Sequence, residues 1–337
     1  MEALLYDHLE DDAVRCRLCA HGCVIKPGKR GICGVRENRG GILATLVYER
    51  VIAEHVDPIE KKPLFHFHPG SLSYSIATPG CNFKCRFCQN ADIAQMPAEH
   101  RGILRGAPRA PDDIVEAALS QKCRTIAYTY TEPTIYFELA LETARRAHAV
   151  GLKNIFVTNG YMTADALDLL APVLDGANVD LKAFNDDFYR RMCGARLQPV
   201  LAALKGMRAR GIFVEVTTLV IPGLNDDPDE LHDLAAFIAA ELGVDTPWHI
   251  SRFHPTYRLT DRPPTPVETL HRARSIGRKA GLRYVYVGNV PGTAGAHTLC
   301  PGCGVRVIGR WGFSVSDYRI TAGCCDACGQ EIAGEGL

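Results

Sequence analysis

From Leu72 onward the sequence repeats one pattern, in which a short apolar stretch is followed by a loop and then by a longer stretch with helical periodicity. Strands that alternate with helices pair in parallel and carry the helices on the outside of the sheet. The predicted strands are 72–78, 124–130, 153–158, 178–182, 212–221, 248–253 and 283–287. The predicted helices are 112–120, 133–150, 163–174, 199–210, 228–242 and 266–280. Six strand–helix units are fewer than the eight of a closed barrel, so the pattern predicts an α/β fold with fewer units than that barrel.

Three cysteines follow the first predicted strand, in the arrangement C-x3-C-x2-C. We call Cys81, Cys85 and Cys88 the cluster motif. Cysteines in so tight a run are typical of iron–sulfur ligation, and three of them can hold three irons of a [4Fe–4S] cluster while the fourth iron stays open. A zinc knuckle or reduced structural thiols are the alternatives, although zinc sites usually use C-x2-C pairs and four closed ligands.

The segment CNFKCRFC, with an aromatic residue before its last cysteine, resembles the motif of radical S-adenosylmethionine (SAM) enzymes. The resemblance implies a partial (β/α)6 barrel that is open on one side. It implies that the open iron chelates the amino and carboxylate groups of SAM, and that the reduced cluster cleaves SAM to a 5′-deoxyadenosyl radical that abstracts hydrogen from a substrate. A [4Fe–4S] cluster and SAM are therefore the expected cofactors, and the protein supplies their orientation and shielding.

Ligands of parallel α/β sheets bind beyond the carboxyl ends of the strands. Six polar residues in that position are candidate SAM contacts: Glu132, Asn159, Asp180, Lys182, Asn225 and His254. Glu132 matches the glutamate of the family's Gly-Gly-Glu motif, which takes the SAM amino group, although Tyr130 and Thr131 stand in place of the glycines. A carboxylate at a helix amino terminus is the alternative. Asn225 is a candidate contact to the nucleoside.

The other candidates resemble residues of glycyl-radical-enzyme activases. Asp180 and Lys182 lie two residues apart and share one strand face; in activases the lysine of Asp-Leu-Lys approaches the SAM carboxylate. An internal ion pair is the alternative. Asn159 belongs to a Thr-Asn-Gly turn found in activases, but Val157 stands where they have a SAM-contacting aspartate. His254 matches an activase histidine near the SAM ribose, or else is a packed core residue.

Residues 1–40 form a predicted cysteine-rich knuckle in which glycine and proline favour turns. Its amino-terminal quartet is Cys16, Cys19, Cys23 and Cys33. These four cysteines could hold one tetrahedral zinc ion. A second iron–sulfur cluster and reduced thiols without metal are the alternatives.

Residues 41–70 are predicted to connect the knuckle to the sheet. The alternating apolar stretch from Gly41 to Val56 predicts one or two strands. The loop that follows carries His66 and His68, which could ligate a metal, although packing or hydrogen bonding is the favoured role. Because this loop directly precedes the first strand of the repeat, we expect it near the cluster.

The region 296–337 follows the predicted barrel domain, 71–295, and carries two C-x2-C pairs spaced much like those of a zinc ribbon. The carboxyl-terminal quartet is Cys300, Cys303, Cys325 and Cys328. A unit this small cannot fold on its own core, so we expect zinc to supply its stability. The ribbon could cover the open barrel or dock a partner. The isolated Cys123 and Cys193 are predicted to pack as small buried residues.

Composition argues against several other classes. The net charge is zero, which gives no electrostatic indication of nucleic-acid or membrane binding. No apolar stretch approaches the ~20 residues of a membrane span, and residues 1–12 lack a signal-peptide pattern. We therefore expect a cytoplasmic protein, in which the fourteen cysteines indicate metal sites rather than disulfides.

Three blocks together resemble the radical SAM enzymes of the AmmeMemoRadiSam system, which are similar to pyruvate formate-lyase activating enzymes. The blocks are CRLCAHGC…GKRGICGVREN, DPIEKKPLFHFHPG…SIATPGCNFKCRFCQN and CPGCG…CDACGQEIAG. The resemblance implies association with AMMECR1-like and Memo-like proteins, and we also expect an electron donor such as flavodoxin or ferredoxin. It does not give a substrate.

Three functions remain open at this point. The first is a radical SAM enzyme that acts on a small molecule or on a protein of its own system. The second is a glycyl-radical-enzyme activase, although residues 90–112 contain no cysteine and therefore lack the two-cluster insert of the longer activases. The third is a non-catalytic scaffold whose cysteines only hold zinc.

Overall fold

The structure is a computed structural model in which residues 1–290, 292 and 294–337 are described. Its amino-terminal region builds two small antiparallel sheets, which together span residues 6–45. Their strands are β1 (Tyr6–His8), β2 (Val14–Cys16) and β3 (Val24–Ile25) in one sheet, and β4 (Arg36–Arg39) and β5 (Ile42–Thr45) in the other. A short strand β6 (Arg50–Val51) pairs with β9 (Ala107–Pro108). The stretch expected to form one or two strands thus contributes to β5, β6 and the next strand, β7.

The predicted strands form one eight-stranded sheet. Its members are β7 (Ala53–Pro58), β8 (Leu72–Ala77), β10 (Thr125–Tyr128), β11 (Lys153–Thr158), β12 (Gly176–Asp180), β13 (Phe213–Val220), β14 (Trp248–Arg252) and β15 (Val285–Gly288). The order across the sheet is β15-β14-β13-β12-β11-β10-β8-β7. Consecutive strands from β8 to β15 pair in parallel, as predicted, and β7 pairs antiparallel with β8. In the part of the chain that the structure describes, β7 and β15 do not pair with each other, so the sheet is open.

Helices connect the parallel strands at the predicted places. In chain order the α-helices of the described residues are α1 (Ala91–Ala94), α2 (Met96–Glu99), α3 (Pro111–Ser120), α4 (Phe137–Ala149), α5 (Ala164–Leu170), α6 (Asp186–Phe188), α7 (Leu197–Ala209), α8 (Pro228–Phe237) and α9 (Val267–Lys279). Prolines open α3 and α8, where a missing N–H costs no helical hydrogen bond. The periodicity of the sequence does not predict α1, α2 or α6. The last of these continues as a π-helical turn, Tyr189–Cys193.

The segment 63–68 fills the amino ends of the parallel strands, and the expectation that it lies near the cluster is wrong. The Phe67 ring packs against Phe213, the first residue of β13, and beneath Gly176, where a Cβ atom would come within 3.1 Å of it. Glu215 of β13 accepts a hydrogen bond of 2.7 Å from the backbone N–H of His66. A segment that directly precedes a parallel strand lies at that strand's amino end, whereas the cluster motif follows its carboxyl end.

The carboxyl-terminal region covers the same amino ends of the strands. It contains the sheet of β16 (Thr298–Leu299), β17 (Arg306–Trp311) and β18 (Ser314–Tyr318), and the hairpin of β19 (Ile320–Thr321) and β20 (Cys324–Cys325). Val307 and Ile308 share an apolar cluster with Phe65 and Tyr286. The backbone of Glu335 bonds to His68 N at 2.8 Å and to His66 O at 2.7 Å. The region therefore packs at the end of the sheet opposite the cluster motif.

No α-helix among the described residues has both the length and the apolar character needed to cross a membrane.

Candidate active site at the carboxyl ends of the strands

The cluster motif lies in the loop that leaves β8, and Gly80 fixes the path of this loop. Gly80 has φ +104°, and a Cβ atom there would lie 2.7 Å from Val35 Cγ1 and 3.2 Å from the carbonyl oxygen of Cys33. Only glycine combines this conformation with so close an approach. The amino-terminal region therefore packs directly against the turn that precedes the cysteines.

The three thiols of the cluster motif are enclosed and unpaired. None of them is in a disulfide. Burial raises the pKa of Cys88 to about 11 and that of Cys81 well above its usual range, and a hydrogen bond to Cys193 is the largest cause of the raised pKa of Cys85. Without metal these thiols would be protonated at neutral pH. They fit a metal-bound group, because metal ligation stabilises thiolates that burial alone disfavours.

Cys193 lies beside Cys85, a contact that the sequence analysis does not predict. The backbone N–H groups of Lys84 and Arg86 donate to the carbonyls of Cys193 at 2.7 Å and Met192 at 2.9 Å, so the π-helical turn flanks Cys85 on both sides. The prediction that Cys193 is buried is confirmed. Its position was missed because a lone cysteine 108 residues from Cys85 carries no local pattern.

Glu132 is fully buried at the carboxyl end of β10 and close to Cys81. Its Oε1 accepts hydrogen bonds from Thr134 N (3.0 Å), Thr134 Oγ1 (2.6 Å) and Thr158 Oγ1 (2.7 Å), and its Oε2 accepts one from Asn159 N (2.8 Å). Burial raises the pKa of Glu132, and its charge in turn raises the pKa of Cys81. The capping role held open as the alternative is therefore present. A carboxylate offers about four acceptor sites, so Oε2 keeps capacity for a further donor.

Asn159 joins the Glu132 loop to the cluster motif. Its Nδ2 donates to Asn82 Oδ1 at 2.8 Å, and its Oδ1 accepts from Tyr161 N at 3.1 Å. Asn82 follows Cys81 directly, so this chain of hydrogen bonds connects the carboxylate to the cysteine loop. The observed contacts of Asn159 position the loops, and its contact to SAM stays a prediction.

Tyr130, which replaces a glycine of the Gly-Gly-Glu motif, keeps a backbone conformation that favours glycine, with φ +59°. Contacts on both sides of its ring offset the strain. Its hydroxyl donates to Asp57, and the ammonium of Lys62 lies 4.5 Å from the ring centroid. The departure from the family motif therefore changes the side chain and retains the turn.

Asp180 and Lys182 form an ion pair of 2.9 Å at the end of β12. The internal ion pair held open above is therefore present. The strand ends at Asp180, two residues earlier than predicted, so Lys182 lies in the following loop. Its positive charge partly offsets the rise in the pKa of both Cys85 and Cys88. Lys182 thus brings a positive charge to the cluster motif, in addition to Lys84, whose Nζ lies 3.5 Å from the carbonyl oxygen of Cys81.

Asn225 and His254 differ in their accessibility. Asn225 is buried: its Oδ1 accepts from Ile221 N at 2.6 Å, and its Nδ2 donates to the carbonyls of Lys182 at 2.6 Å and Leu219 at 2.9 Å. These contacts hold the loop after β13, and a nucleoside contact for Asn225 stays a prediction. His254 is exposed beyond β14, so its packed-core alternative is wrong.

The carboxyl-terminal quartet lies outside this site and forms a compact group. All four sulfurs lie within 4.8 Å of one another. The pairs Cys300–Cys328 and Cys303–Cys325 have sulfur–sulfur distances of 3.6 and 3.8 Å. Four thiolates that bind one zinc ion at about 2.3 Å are about 3.8 Å apart, so the geometry fits a single tetrahedral metal ion.

An open parallel sheet with three clustered cysteines beyond its first parallel strand defines the class of the protein, and the comparisons with known proteins agree. Residues 75–237 match the Radical SAM superfamily. The chain is 45% identical to the uncharacterized protein MJ0808 of Methanocaldococcus jannaschii, over 98% of each chain. It is 22% identical to pyruvate formate-lyase 1-activating enzyme of Escherichia coli, over 61% of this chain and 89% of that enzyme. The crystal structure of a radical SAM methyltransferase from Sphaerobacter thermophilus shares the fold with a TM-score of 0.51, at 19% identity, over 66% of this chain and 67% of that one.

The chain contains a radical SAM domain over residues 75–237, and it is related to the activating enzymes of glycyl-radical enzymes.

Proposed function

We propose that the protein reductively cleaves SAM at a [4Fe–4S] cluster held by Cys81, Cys85 and Cys88, and uses the resulting radical to abstract hydrogen from a substrate. The observation that carries the proposal is the convergence of three buried or half-buried cysteines, none of them in a disulfide, with one carboxylate and one ammonium group at the carboxyl ends of the strands. The cluster and SAM supply the electron transfer and the 5′-deoxyadenosyl radical. The protein holds these groups and excludes water from them.

Lys182 and Glu132 have complementary tasks in this proposal. The SAM moiety that binds the open iron carries a carboxylate and an amino group. The Lys182 ammonium lies beside the cluster motif at the end of β12 and would face the carboxylate. Glu132 would accept from the amino group through the capacity left on Oε2. Each charge then meets an opposite charge in an enclosed site, which offsets the cost of removing it from water.

The system and the partners are proposed from the resemblance to AmmeMemoRadiSam enzymes. We assign the protein to that system in the cytoplasm, with AMMECR1-like and Memo-like proteins as partners and flavodoxin or ferredoxin as electron donor. The zinc-only scaffold is not favoured, because the match to the Radical SAM superfamily covers the cluster motif. Among the described residues the three sulfurs of the motif also do not form a group within 4.8 Å of one another.

A second candidate is activation of a glycyl-radical enzyme. It is favoured by the related sequences, which include the pyruvate formate-lyase 1-activating enzyme. The two candidates differ in the product of hydrogen abstraction. A glycyl radical on a partner, detected by electron paramagnetic resonance, would support the activase. Deuterium transferred from a labelled small molecule into 5′-deoxyadenosine would support the other candidate.

We also propose that the carboxyl-terminal quartet binds zinc. The sulfur–sulfur distances of 3.6 and 3.8 Å support a tetrahedral site.

Anaerobic reconstitution of the wild-type protein tests the proposed reaction. We expect thiolate-to-iron absorption after addition of iron and sulfide, and 5′-deoxyadenosine after reduction in the presence of SAM. A protein that binds zinc alone would show neither, and that result would contradict the proposal.

A further inference from the structure

The four cysteines of the amino-terminal quartet line one small cavity. They approach it from the loops around β2 and β3 and from the turn before β4, and none of them is in a disulfide. Asn82 of the cluster loop and Arg36 line the same cavity. The sequence spacing alone leaves open whether such a group holds zinc, a cluster or no metal.

Two buried hydrogen-bond donors in the lining of this cavity are unsatisfied. In residues 1–290, 292 and 294–337, Asn82 Nδ2 and Arg36 Nε have no hydrogen-bond partner, although both residues are at most 1% exposed. A buried donor without an acceptor costs about 1–3 kcal/mol. Arg36 also pairs with Glu138, and its Nη1 lies 3.4 Å from Cys16 Sγ. The two unsatisfied donors fit a sulfur-rich acceptor group between the four thiols.

The spacing of the thiols in this cavity differs from that of the carboxyl-terminal quartet. Across the residues that the structure describes, no three sulfurs of the amino-terminal quartet lie within 4.8 Å of one another, and the same holds for the cluster motif. A single zinc ion binds all its sulfurs at about 2.3 Å and needs the close spacing seen in the carboxyl-terminal quartet. In an iron–sulfur cluster each cysteine binds a different iron, so the sulfurs are farther apart.

The cavity adjoins the cluster loop. The ring Nε2 of His21 lies 2.8 Å from the carbonyl oxygen of Asn82, which is the residue after Cys81. Cys19 forms a backbone bridge with Met162, close to the Asn159 turn that also bonds Asn82. Asn82 therefore belongs to both surroundings, and a group bound in the cavity would be separated from the cluster motif by this one residue.

We propose that Cys16, Cys19, Cys23 and Cys33 bind a second iron–sulfur cluster, which relays electrons to the cluster held by Cys81, Cys85 and Cys88. A low-potential carrier protein gives up one electron, the amino-terminal cluster takes it up, and that cluster is reoxidised when it reduces its neighbour by one electron. The unsatisfied Asn82 Nδ2 and Arg36 Nε donate to cluster sulfurs. Such hydrogen bonds tune the reduction potential of the cluster. The relay rests on the proposed function, whereas the presence of the cluster does not.

Iron and sulfide analysis of cysteine variants tests the site. The variant with Cys81→Ala, Cys85→Ala and Cys88→Ala lacks the cluster motif, and we expect it to retain about four irons and four sulfides per chain after anaerobic reconstitution. Adding Cys19→Ala and Cys23→Ala should remove them. An unchanged zinc content at the carboxyl-terminal quartet verifies folding of each variant. Loss of all iron in the first variant, or a second zinc ion in place of iron, would overturn the proposal.

The choice of reductant tests the relay. In the variant with only Cys19→Ala and Cys23→Ala, we expect flavodoxin-driven SAM cleavage to fall by about tenfold or more relative to dithionite-driven cleavage. The small reductant can reach the remaining cluster directly, whereas the protein donor cannot. An equal fall in SAM cleavage with both reductants would overturn the relay. The iron content of the variants would still show whether the amino-terminal quartet binds a cluster.

Discussion

The two cysteine quartets lie at opposite ends of the same sheet, and they differ in compactness, in exposure and in the residues that surround them. The carboxyl-terminal quartet is compact, has two exposed members and packs with a region that covers the amino ends of the strands. The amino-terminal quartet is spread around a cavity that shares Asn82 with the cluster loop. The comparison teaches that similar short spacings can serve different purposes, and that the tertiary surroundings decide which. In this account one quartet is proposed to stabilise a small metal-dependent fold, and the other borders the proposed site of SAM cleavage.

The largest effect is expected from removal of the carboxyl-terminal metal site. Cys303→Ala should abolish zinc binding there and unfold the ribbon, because structural zinc contributes about 10–16 kcal/mol in small zinc-dependent domains. Zinc analysis and limited proteolysis measure this. Cys324→Ala is the matched control, since Cys324 adjoins Cys325 but is outside the compact group. If Cys303→Ala kept its zinc and its protease resistance, the structural role of this quartet would be refuted.

The next effect concerns the attachment of the amino-terminal region. Arg36 forms a fully buried ion pair with Glu138 of α4. Glu138→Gln leaves the guanidinium charge without its counter-charge, and we expect a loss of about 3–5 kcal/mol in the free energy of unfolding, measured by urea titration. The exposed pair of Arg191 and Asp187 provides the control: Arg191→Gln should cost no more than about 0.5 kcal/mol. Equal losses in the two variants would contradict this account.

A smaller effect is expected at the contact between the amino-terminal region and the cluster loop. In Gly80→Ala the new Cβ meets Val35 in a conformation that favours glycine, and we expect a loss of about 2–3 kcal/mol. Gly151→Ala shares a positive φ, but its Cβ meets no atom within 4 Å, so its cost should be only about 1 kcal/mol. Thermal unfolding compares them. If the two variants were equally stable, Gly80 would not be a close contact between the two regions.

The last effect depends on pH and concerns the amino ends of the strands, where burial lowers the pKa of His66 to about 4 from its ordinary 6.5. Between pH 6.5 and pH 4 the unfolded chain binds a proton that the folded chain does not. The free energy of unfolding therefore falls as the pH falls through this window, by up to about 1.4 kcal/mol per pH unit. Urea titrations at several pH values should show a shallower slope for His66→Gln, whereas the exposed His232→Gln should match the wild type. If the pH dependence of the free energy of unfolding were unchanged in His66→Gln, the account of the His66 imidazole would be contradicted.

The sequence predicts the elements of the sheet well because their determinants are local. Apolar periodicity places the strand 153–158 at its observed bounds, and the proline at position 228 places the start of α8. The pairing of Asp180 with Lys182 was open to prediction because the two residues are close in sequence, although Lys182 lies in the loop after β12. The cluster motif was recognisable for the same reason, as its three cysteines are close in sequence.

Long-range contacts were not predictable from single positions. Nothing near Cys193 indicates that it meets Cys85, and nothing near Asn82 indicates that it lines the cavity of the amino-terminal quartet. The predicted position of the loop with His66 was wrong because this loop is close in sequence to β8. It precedes β8 and the cluster motif follows β8, so the loop and the motif lie at opposite ends of that strand. Asn225 has the residue type of a ligand contact, and its three observed hydrogen bonds hold the loop after β13.

The central claim is that SAM cleavage occurs at the cluster motif, and a matched pair of cysteine variants tests it most directly. Each variant is reconstituted anaerobically and reduced with dithionite in the presence of SAM, and 5′-deoxyadenosine is quantified. Cys85→Ala removes one cluster ligand, whereas Cys123→Ala alters a buried cysteine outside all three cysteine groups. We predict that 5′-deoxyadenosine is undetectable with Cys85→Ala and close to the wild-type amount with Cys123→Ala. Continued cleavage by Cys85→Ala would contradict the account.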